Sequence, residues 1–222
     1  MKKFSKLLIV FLSVSVFLVS CKESINKKQK TNTTLENNKP EISIGSVLNA
    51  NLATESDLMT LGLSSELVAK LLDSRPFLTI SDFNEIMKGE NIEELFKKIF
   101  VPLNLNTTAE KDFKMIPGVG DKMAHEFEEY RPYKSILQFK REIGKYVDEK
   151  EVARYLNYVF VPIELNTSSE DDIKALPGIG KKMTHEFLEY RPYKNLAQFR
   201  KEIGKYVDEK ELSRLERLIY LK

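Results

Sequence analysis

The chain has 222 residues, of which 42% are hydrophobic and 31% charged, with 9 Gly and 8 Pro, a composition typical of globular proteins. It excludes collagen-like, wholly disordered and polytopic membrane chains, and a single Cys with two His excludes a disulfide framework and leaves little material for a metal site. The net charge of +2 is unevenly spread, because residues 1–40 hold eight Lys and two Glu and residues 41–222 therefore sum to −4. A strongly basic nucleic-acid clamp is not expected in the folded part.

Residues 1–20 have the pattern of an export signal. Three lysines precede an apolar stretch from Leu7 to Ser20, whose length of roughly 21 Å as a helix is shorter than the roughly 30 Å core of a membrane. A cleaved signal peptide is therefore predicted. The sequence Leu18-Val19-Ser20-Cys21 resembles the lipobox of bacterial lipoproteins, which implies lipidation of Cys21. The alternative is an ordinary signal-peptidase site followed by an incidental cysteine.

Residues 21–44 are predicted to be the lipidated Cys and a flexible linker, because this segment is polar, rich in Asn, Lys and Thr, and nearly without apolar side chains after Cys21. Two or more acyl chains anchor a protein stably, whereas one gives only marginal binding. We therefore expect an extracytoplasmic protein of the bacterial cell envelope that is attached to a membrane through lipid. The basic residues Lys27, Lys28 and Lys30 either remain solvated or contact anionic headgroups or nucleic acid.

The rest of the chain is repetitive with a period of 60 residues. Pro117 to Gly120 recurs at Pro177 to Gly180, Tyr130 to Tyr133 recurs at Tyr190 to Tyr193, and more than half of the aligned positions are identical. A diverged copy precedes them, with Gly62 at the first turn glycine and Ser64 in place of the second. Three repeats are thus predicted, at residues 45–101, 102–161 and 162–222, and because a unit of about 60 residues is marginal alone, they should share interfaces.

Each repeat is predicted to form four short helices, which makes the fold class all-α. Thr107 with Glu110 and Thr167 with Glu170 have capping-box spacing, and these helices should run to the proline of the Pro-Gly-x-Gly turn. A second helix should follow at once, with Met123, Phe127 and Tyr130 on its inward face, and end at Arg131-Pro132.

A third helix is predicted from a capping box at Ser135 and Gln138 up to Gly144, with Phe139 among its apolar positions. The fourth helix should begin at Asp148 and reach about Tyr158, and its copy should run from Asp208 to about Tyr220. Residues 159–162 should form an extended connector.

Leu-Asn-Thr, Pro-Gly-x-Gly and Tyr-Arg in register, twice, resemble the helix-hairpin-helix family, closest to its ComEA-type competence DNA-receptor branch. The resemblance covers the second and third repeats well and the first in outline. It implies binding to the DNA backbone without sequence preference, in the setting of DNA uptake. By position, the residues that it implies for phosphate binding are Gly118, Gly120 and Lys122 in the second repeat and Gly178, Gly180, Lys181 and Lys182 in the third. Val119 and Ile179 should brace the turns.

Charge limits this interpretation. Residues 41–101, 102–161 and 162–222 carry about −5, 0 and +1. The third repeat is the stronger candidate, because Asp121 stands where the third repeat has Lys181 and would repel phosphate. The second hairpin of each repeat, with one glycine and a Tyr, is open to a purely structural role. An interaction scaffold for an envelope protein, without DNA binding, is the alternative function.

Other residues carry weaker hypotheses. His125 with Glu129, and their copies, could supply two metal ligands, but each pair is more simply an exposed hydrogen-bonded or ionic couple. Tyr130, Tyr133 and Tyr146 could stack on bases or belong to the core. The acidic side chains around Glu126 are expected to form a solvated helix face. No nucleophile paired with a base and no phosphate loop is found, so neither an enzyme nor a cofactor site is predicted.

Overall fold

The computed structural model describes residues 47–222, which are mostly helical, so the all-α prediction is confirmed at that level. The predicted signal peptide, Cys21 and nearly all of the linker and its lysines lie outside the described residues. In the first repeat, helices α1–α4 span Glu55–Met59, Ser65–Asp73, Ile80–Ile86 and Ile92–Phe96, between strands β1 (Leu48–Asn49) and β2 (Ile99–Phe100). In the second, α5–α8 span Glu110–Phe113, Asp121–Glu129, Ile136–Ile143 and Glu149–Tyr155, between β3 (Leu103–Asn104) and β4 (Val159–Phe160). In the third, α9–α12 span Glu170–Lys174, Lys181–Glu189, Leu196–Ile203 and Glu209–Glu216, between β5 (Ile163–Glu164) and β6 (Ile219–Tyr220).

The first and last strand of each repeat pair with each other in parallel. Leu48 is in register with Ile99, Leu103 with Val159, and Ile163 with Ile219. The predicted connector at residues 159–162 is therefore half strand. This pairing also explains why α8 and α12 end at Tyr155 and Glu216, before the predicted Tyr158 and Tyr220.

The repeat motif Leu-Asn-Thr has a structural role. The Asn106 side chain donates to the Tyr133 carbonyl at 2.8 Å and accepts from the Tyr133 amide at 2.7 Å, which fastens the start of the repeat to the turn between α6 and α7. Asn51 holds Phe77 in the same way, and Asn166 holds Tyr193. Because the side-chain amide uses both its nitrogen as a donor and its oxygen as an acceptor, each asparagine fixes the orientation of the turn.

The Tyr-Arg motif serves the same junction. The Arg191 guanidinium donates to the carbonyls of Leu165 at 2.6 Å and Ser168 at 2.9 Å, and Arg131 donates to those of Leu105 and Thr108. The Arg–Pro peptide bond that follows is cis in all three repeats. Two of the three motifs that carry the family resemblance thus satisfy backbone carbonyls inside the repeat.

The predicted capping boxes at Thr107 and Thr167 are wrong. Helix α5 begins after Ala109, which has no side-chain cap, and α9 begins after Ser169, whose hydroxyl accepts from the Asp172 amide. The threonines belong instead to a turn that precedes each helix, where the Thr167 hydroxyl donates to the Glu164 carboxylate at 2.7 Å. The first helices also end before the proline, at Phe113 and Lys174.

The third helix is capped by half of the predicted box. Ser135 accepts from the Gln138 amide at 3.2 Å, but the Gln138 side chain accepts from Lys134 rather than from Ser135. Phe139 and Ile143 are fully buried, and Asp148 caps α8 as predicted.

Aromatic rings join the first two repeats into one core. Phe83, Phe96, Phe100 and Tyr158 follow one another with ring centroids 6.2, 5.1 and 5.1 Å apart, and the last of these contacts crosses from the first repeat to the second. The third repeat has a separate cluster that includes Phe187, Phe199 and Leu215. The predicted inward face of α6 is confirmed for Phe127, whereas Met123 and Tyr130 are half-buried.

Candidate nucleic-acid interface

The first glycine of each Pro-Gly-x-Gly turn requires its residue type. Gly118 has φ +80° and Gly178 has φ +74°, a left-handed backbone that side chains with a Cβ rarely adopt. Val119 and Ile179 between the glycines are 6% and 8% exposed and pack into the core, as expected of residues that brace the turn. The glycines on either side of them are exposed.

The second glycine begins a helix whose amides have no side-chain cap. Gly120 and Gly180 are the N-caps of α6 and α10, with extended backbone, and neither cap makes a side-chain hydrogen bond. A Cβ added to either glycine would meet no atom within 4 Å. Because the first amides of a helix have no partner within the helix, the N-termini of α6 and α10 can donate to an anion.

The first repeat has Ser64 where the other two repeats have the second turn glycine, and this serine caps its helix. Ser64 caps α2 by accepting from the Leu67 amide at 3.2 Å. Hydrogen bonds from its own backbone amide and from the Ser64 hydroxyl hold the pKa of the Glu66 carboxyl below its usual value. An internal carboxylate thus lies at the N-terminus of α2. The first turn of α6 also holds an acidic side chain, Asp121, whereas the first turn of α10 holds none.

Lysines surround both uncapped helix starts. Lys122, Lys181 and Lys182 are exposed. Asp121 is paired with Lys114 at 2.6 Å, and this hydrogen-bonded pair lowers the pKa of Asp121. The pair reduces the repulsion that Asp121 would exert on a phosphate, so the turn of the second repeat repels anions less than its sequence suggests.

A residue that sequence reasoning missed lies on the third repeat's turn. A Cβ placed on Gly178 would lie 2.4 Å from Cδ1 of Leu52, a side chain of the first repeat, and 3.1 Å from Nη2 of Arg214. At Gly118 the corresponding nearest atom is Nη2 of Arg154, from the same repeat, at 3.4 Å. The sequence offered one signal, since Leu52 stands where the other repeats have Thr107 and Thr167.

The second hairpin is packed against the helix of the first. Gly144 has an ordinary helical backbone, but a Cβ there would lie 2.7 Å from the Lys140 carbonyl oxygen, so glycine is needed for close approach. The hydroxyls of Tyr130 and Tyr146 are 2.8 Å apart, and Lys145 lies over the Tyr130 ring at 5.0 Å. The third repeat repeats this arrangement with Tyr190 and Tyr206.

The tyrosines differ in exposure. Tyr133 and Tyr193 are core residues at 0% and 3% exposure, whereas Tyr146 and Tyr206 are 39% and 38% exposed. The expectation of a fully solvated acidic face is wrong for Glu126, which is 8% exposed, and for its copy Glu186. Hydrogen bonds to Tyr130 and to the Glu126 carboxylate raise the pKa of Tyr146, because ionising its hydroxyl would remove a donor.

The histidines lie beside glutamates on the helix surface. His125 and Glu129 approach to 3.7 Å and His185 and Glu189 to 3.2 Å, with both imidazoles well exposed. Within residues 47–222, no group of three or more His, Cys, Asp and Glu side chains lies close enough to hold a metal ion. The same part of the chain contains no helix with the length and apolarity needed to cross a membrane.

Comparison of the chain with protein-family models, with curated proteins and with solved structures gave no match.

Proposed function

We propose that the chain is a lipid-anchored, extracytoplasmic protein of tandem helix-hairpin-helix repeats that binds the DNA backbone without sequence preference. The observation that carries this proposal is the pair of glycine turns at Gly118–Gly120 and Gly178–Gly180, each leading into a nine-residue helix without a side-chain cap. Exposed lysines flank both helix starts. In the first repeat, a serine and a carboxylate occupy the equivalent position.

The chemistry of these turns suits phosphate. Backbone amides at a helix N-terminus donate to a phosphate oxygen, and the helix dipole favours the negative charge. Such a contact reaches no base edge and therefore carries no sequence information. If the turns together neutralise about two to four phosphates, the slope of log K against log salt is about −2 to −4, which means weak binding at physiological salt. Many copies tethered to one membrane would compensate through avidity.

The decisive experiment measures DNA binding by the full-length chain, purified in detergent, with fluorescence anisotropy across a salt series. Gly120→Ser combined with Gly180→Ser places at both turns the residue that the first repeat carries as Ser64. Its hydroxyl would accept from the amides that the proposal assigns to phosphate, and the backbone there is one that serine adopts freely. We expect the double variant to lose most salt-dependent binding while its helix content and thermal stability are retained.

A control variant distinguishes the contribution of the turns to DNA binding from that of overall charge. Lys97→Gln removes an exposed lysine that is paired with Glu94 in the first repeat, far in sequence from either turn. It should leave DNA affinity unchanged. No binding by the unaltered chain at low salt would refute the DNA proposal.

The second candidate is a scaffold for an envelope protein, and one observation favours it. Leu52 of the first repeat lies against Gly178 of the third, and Arg217 of the third repeat donates to the Phe77 carbonyl of the first at 3.1 Å. In both cases a turn serves as a surface on which another part of the chain packs. Crosslinking in intact cells, followed by identification of the bound protein, tests this candidate.

Lipid anchoring is proposed from the signal pattern and Cys21 alone. Its test is Cys21→Ala, which should prevent lipid attachment and release the protein from the membrane fraction. Retention of the variant in the membrane fraction would favour an uncleaved signal instead.

A further inference from the structure

The first repeat lies on the phosphate-binding candidate of the third. Besides the contact of Leu52 with Gly178, the Lys210 amine of α12 donates to the Asp73 carbonyl at 3.2 Å, and Arg217 donates to the Phe77 carbonyl. These contacts join residues of the first and third repeats directly. Leu52 is therefore held on the turn by a wider interface rather than by one side chain.

The turns of the second and third repeats differ in the exposure of the arginine beside the first glycine. Arg214 donates to the Pro177 carbonyl at 2.7 Å, and its side chain is 3% exposed. Arg154 at the same position of the second repeat is 31% exposed. Both arginines are paired with a glutamate three residues earlier, so the difference in exposure does not come from that pairing. Leu52 and Arg214 both lie beside the Cβ position of Gly178.

The apolar side chain of Leu52 beside Gly178 disfavours a phosphate at this turn. A phosphate oxygen near the turn needs donors or water on its other sides, and the Leu52 methyl groups supply neither while occupying the space. Within 4 Å of a Cβ placed on Gly118 lies a cation, Arg154, and no apolar atom. The atoms beside the two turns therefore favour the second repeat as the phosphate site, although the number of lysines in the sequence favours the third.

We infer that the second repeat's turn, with Gly118, Gly120 and Lys122, holds the DNA phosphate, and that Leu52, which lies against Gly178, disfavours DNA binding at the third repeat's turn. This inference rests on the proposed function and narrows it to one open site. The other two repeats then have structural roles, the first as the cover and the third as the surface that is covered.

The test separates the turns by single variants of the full-length chain in the anisotropy assay. Gly120→Ser should weaken binding about tenfold or more, and Gly180→Ser should change it less than about twofold, since a tenfold change corresponds to losing one or two good contacts. Leu52→Thr, which installs the residue of the other two repeats, should steepen the salt slope by about one unit per added phosphate and make binding sensitive to Gly180→Ser.

A second measurement does not depend on the stability of the Leu52 variant. In the unaltered chain, a short duplex should shift the amide resonances of residues 118–122 and leave those of residues 178–182 in place. Equal shifts in both segments, or a loss of affinity in Gly180→Ser equal to that in Gly120→Ser, would overturn the inference and leave the proposed function standing. Absence of binding by the unaltered chain and by Leu52→Thr alike would defeat both.

Discussion

Replacing Gly178 by alanine tests the contact between the first and third repeats through stability alone. Three glycines share nearly the same backbone, with φ +80° at Gly62, +80° at Gly118 and +74° at Gly178. Alanine in this left-handed conformation costs about 1–2 kcal/mol at each of them. Their surroundings differ, because a Cβ meets no atom within 4 Å at Gly62, Arg154 at 3.4 Å at Gly118, and Leu52 at 2.4 Å at Gly178.

The crowding at Gly178 adds to the backbone strain. Overpacking a contact costs roughly 1–3 kcal/mol, so Gly178→Ala should lower the free energy of unfolding by about 2–5 kcal/mol, against about 1–2 kcal/mol for Gly62→Ala and Gly118→Ala. Urea denaturation of the full-length chain followed by far-UV circular dichroism measures these differences. The two matched glycines are the controls for backbone strain.

A double-mutant cycle assigns the excess to Leu52. Leu52→Ala removes the methyl groups that the new Cβ would meet, so Gly178→Ala should cost about as much as Gly118→Ala in that background. The coupling energy should equal this excess, about 1–3 kcal/mol, within the range for residues in contact. If Gly178→Ala is no more destabilising than Gly118→Ala, Leu52 does not cover the turn, and the argument that it excludes phosphate has no basis.

Two further predictions concern the junction inside each repeat. Asn106→Ala removes both hydrogen bonds to the Tyr133 backbone and should cost about 2–3 kcal/mol of unfolding free energy, with Thr107→Ala as the control, whereas a cost below about 0.5 kcal/mol would contradict the role given to the motif. Burial raises the pKa of Tyr133 and Tyr193, so the neutral hydroxyls stabilise the fold fully below the ordinary tyrosine pKa of about 10 and this stability is lost as pH rises above it. Urea midpoints between about pH 8 and pH 11.5 should therefore fall steeply above about pH 10, and less steeply in the combined Tyr133→Phe and Tyr193→Phe variant; equal slopes would contradict the assignment.

Features that depend on local sequence could be predicted. Phe127, Phe139 and Ile143 follow helical periodicity and are buried. The helix starts predicted at Thr107 and Thr167 are wrong, because side chains earlier in the sequence accept hydrogen bonds from backbone amides near these threonines and hold them in a turn. Asn104 and Glu164 each bind a backbone amide of the preceding turn, which delays the helix by two residues.

Features that depend on packing between distant segments could not be predicted. Glu126 stands between His125 and Phe127 in the sequence, and only the folded hairpin brings Tyr146 close to its carboxylate. Leu52 and Gly178 belong to different repeats, and no spacing rule relates them. The number of lysines near the turn favours the third repeat, but the sequence does not show that Leu52 lies against Gly178.

The first repeat offers a gain of function that follows from the same reasoning. Its turn keeps the positive-φ glycine, Gly62, with open space around it, and differs from the second repeat at the cap and at the next charged position. Ser64→Gly with Glu66→Lys removes the capping hydroxyl and the carboxylate and restores the residues that the second repeat has as Gly120 and Lys122. Because this frees the first amides of α2 and supplies a cation, DNA affinity should rise and the salt slope should steepen by about one.

The single changes separate the two contributions. Glu66→Lys alone adds charge while Ser64 still occupies the amides, so it should raise affinity less than the pair does. Ser64→Gly alone leaves the carboxylate at the helix start and should raise affinity little. If Glu66→Lys alone matches the pair, general charge rather than the uncapped helix start governs binding, and the assignment of phosphate to the Gly120 amides in the second repeat loses its support as well.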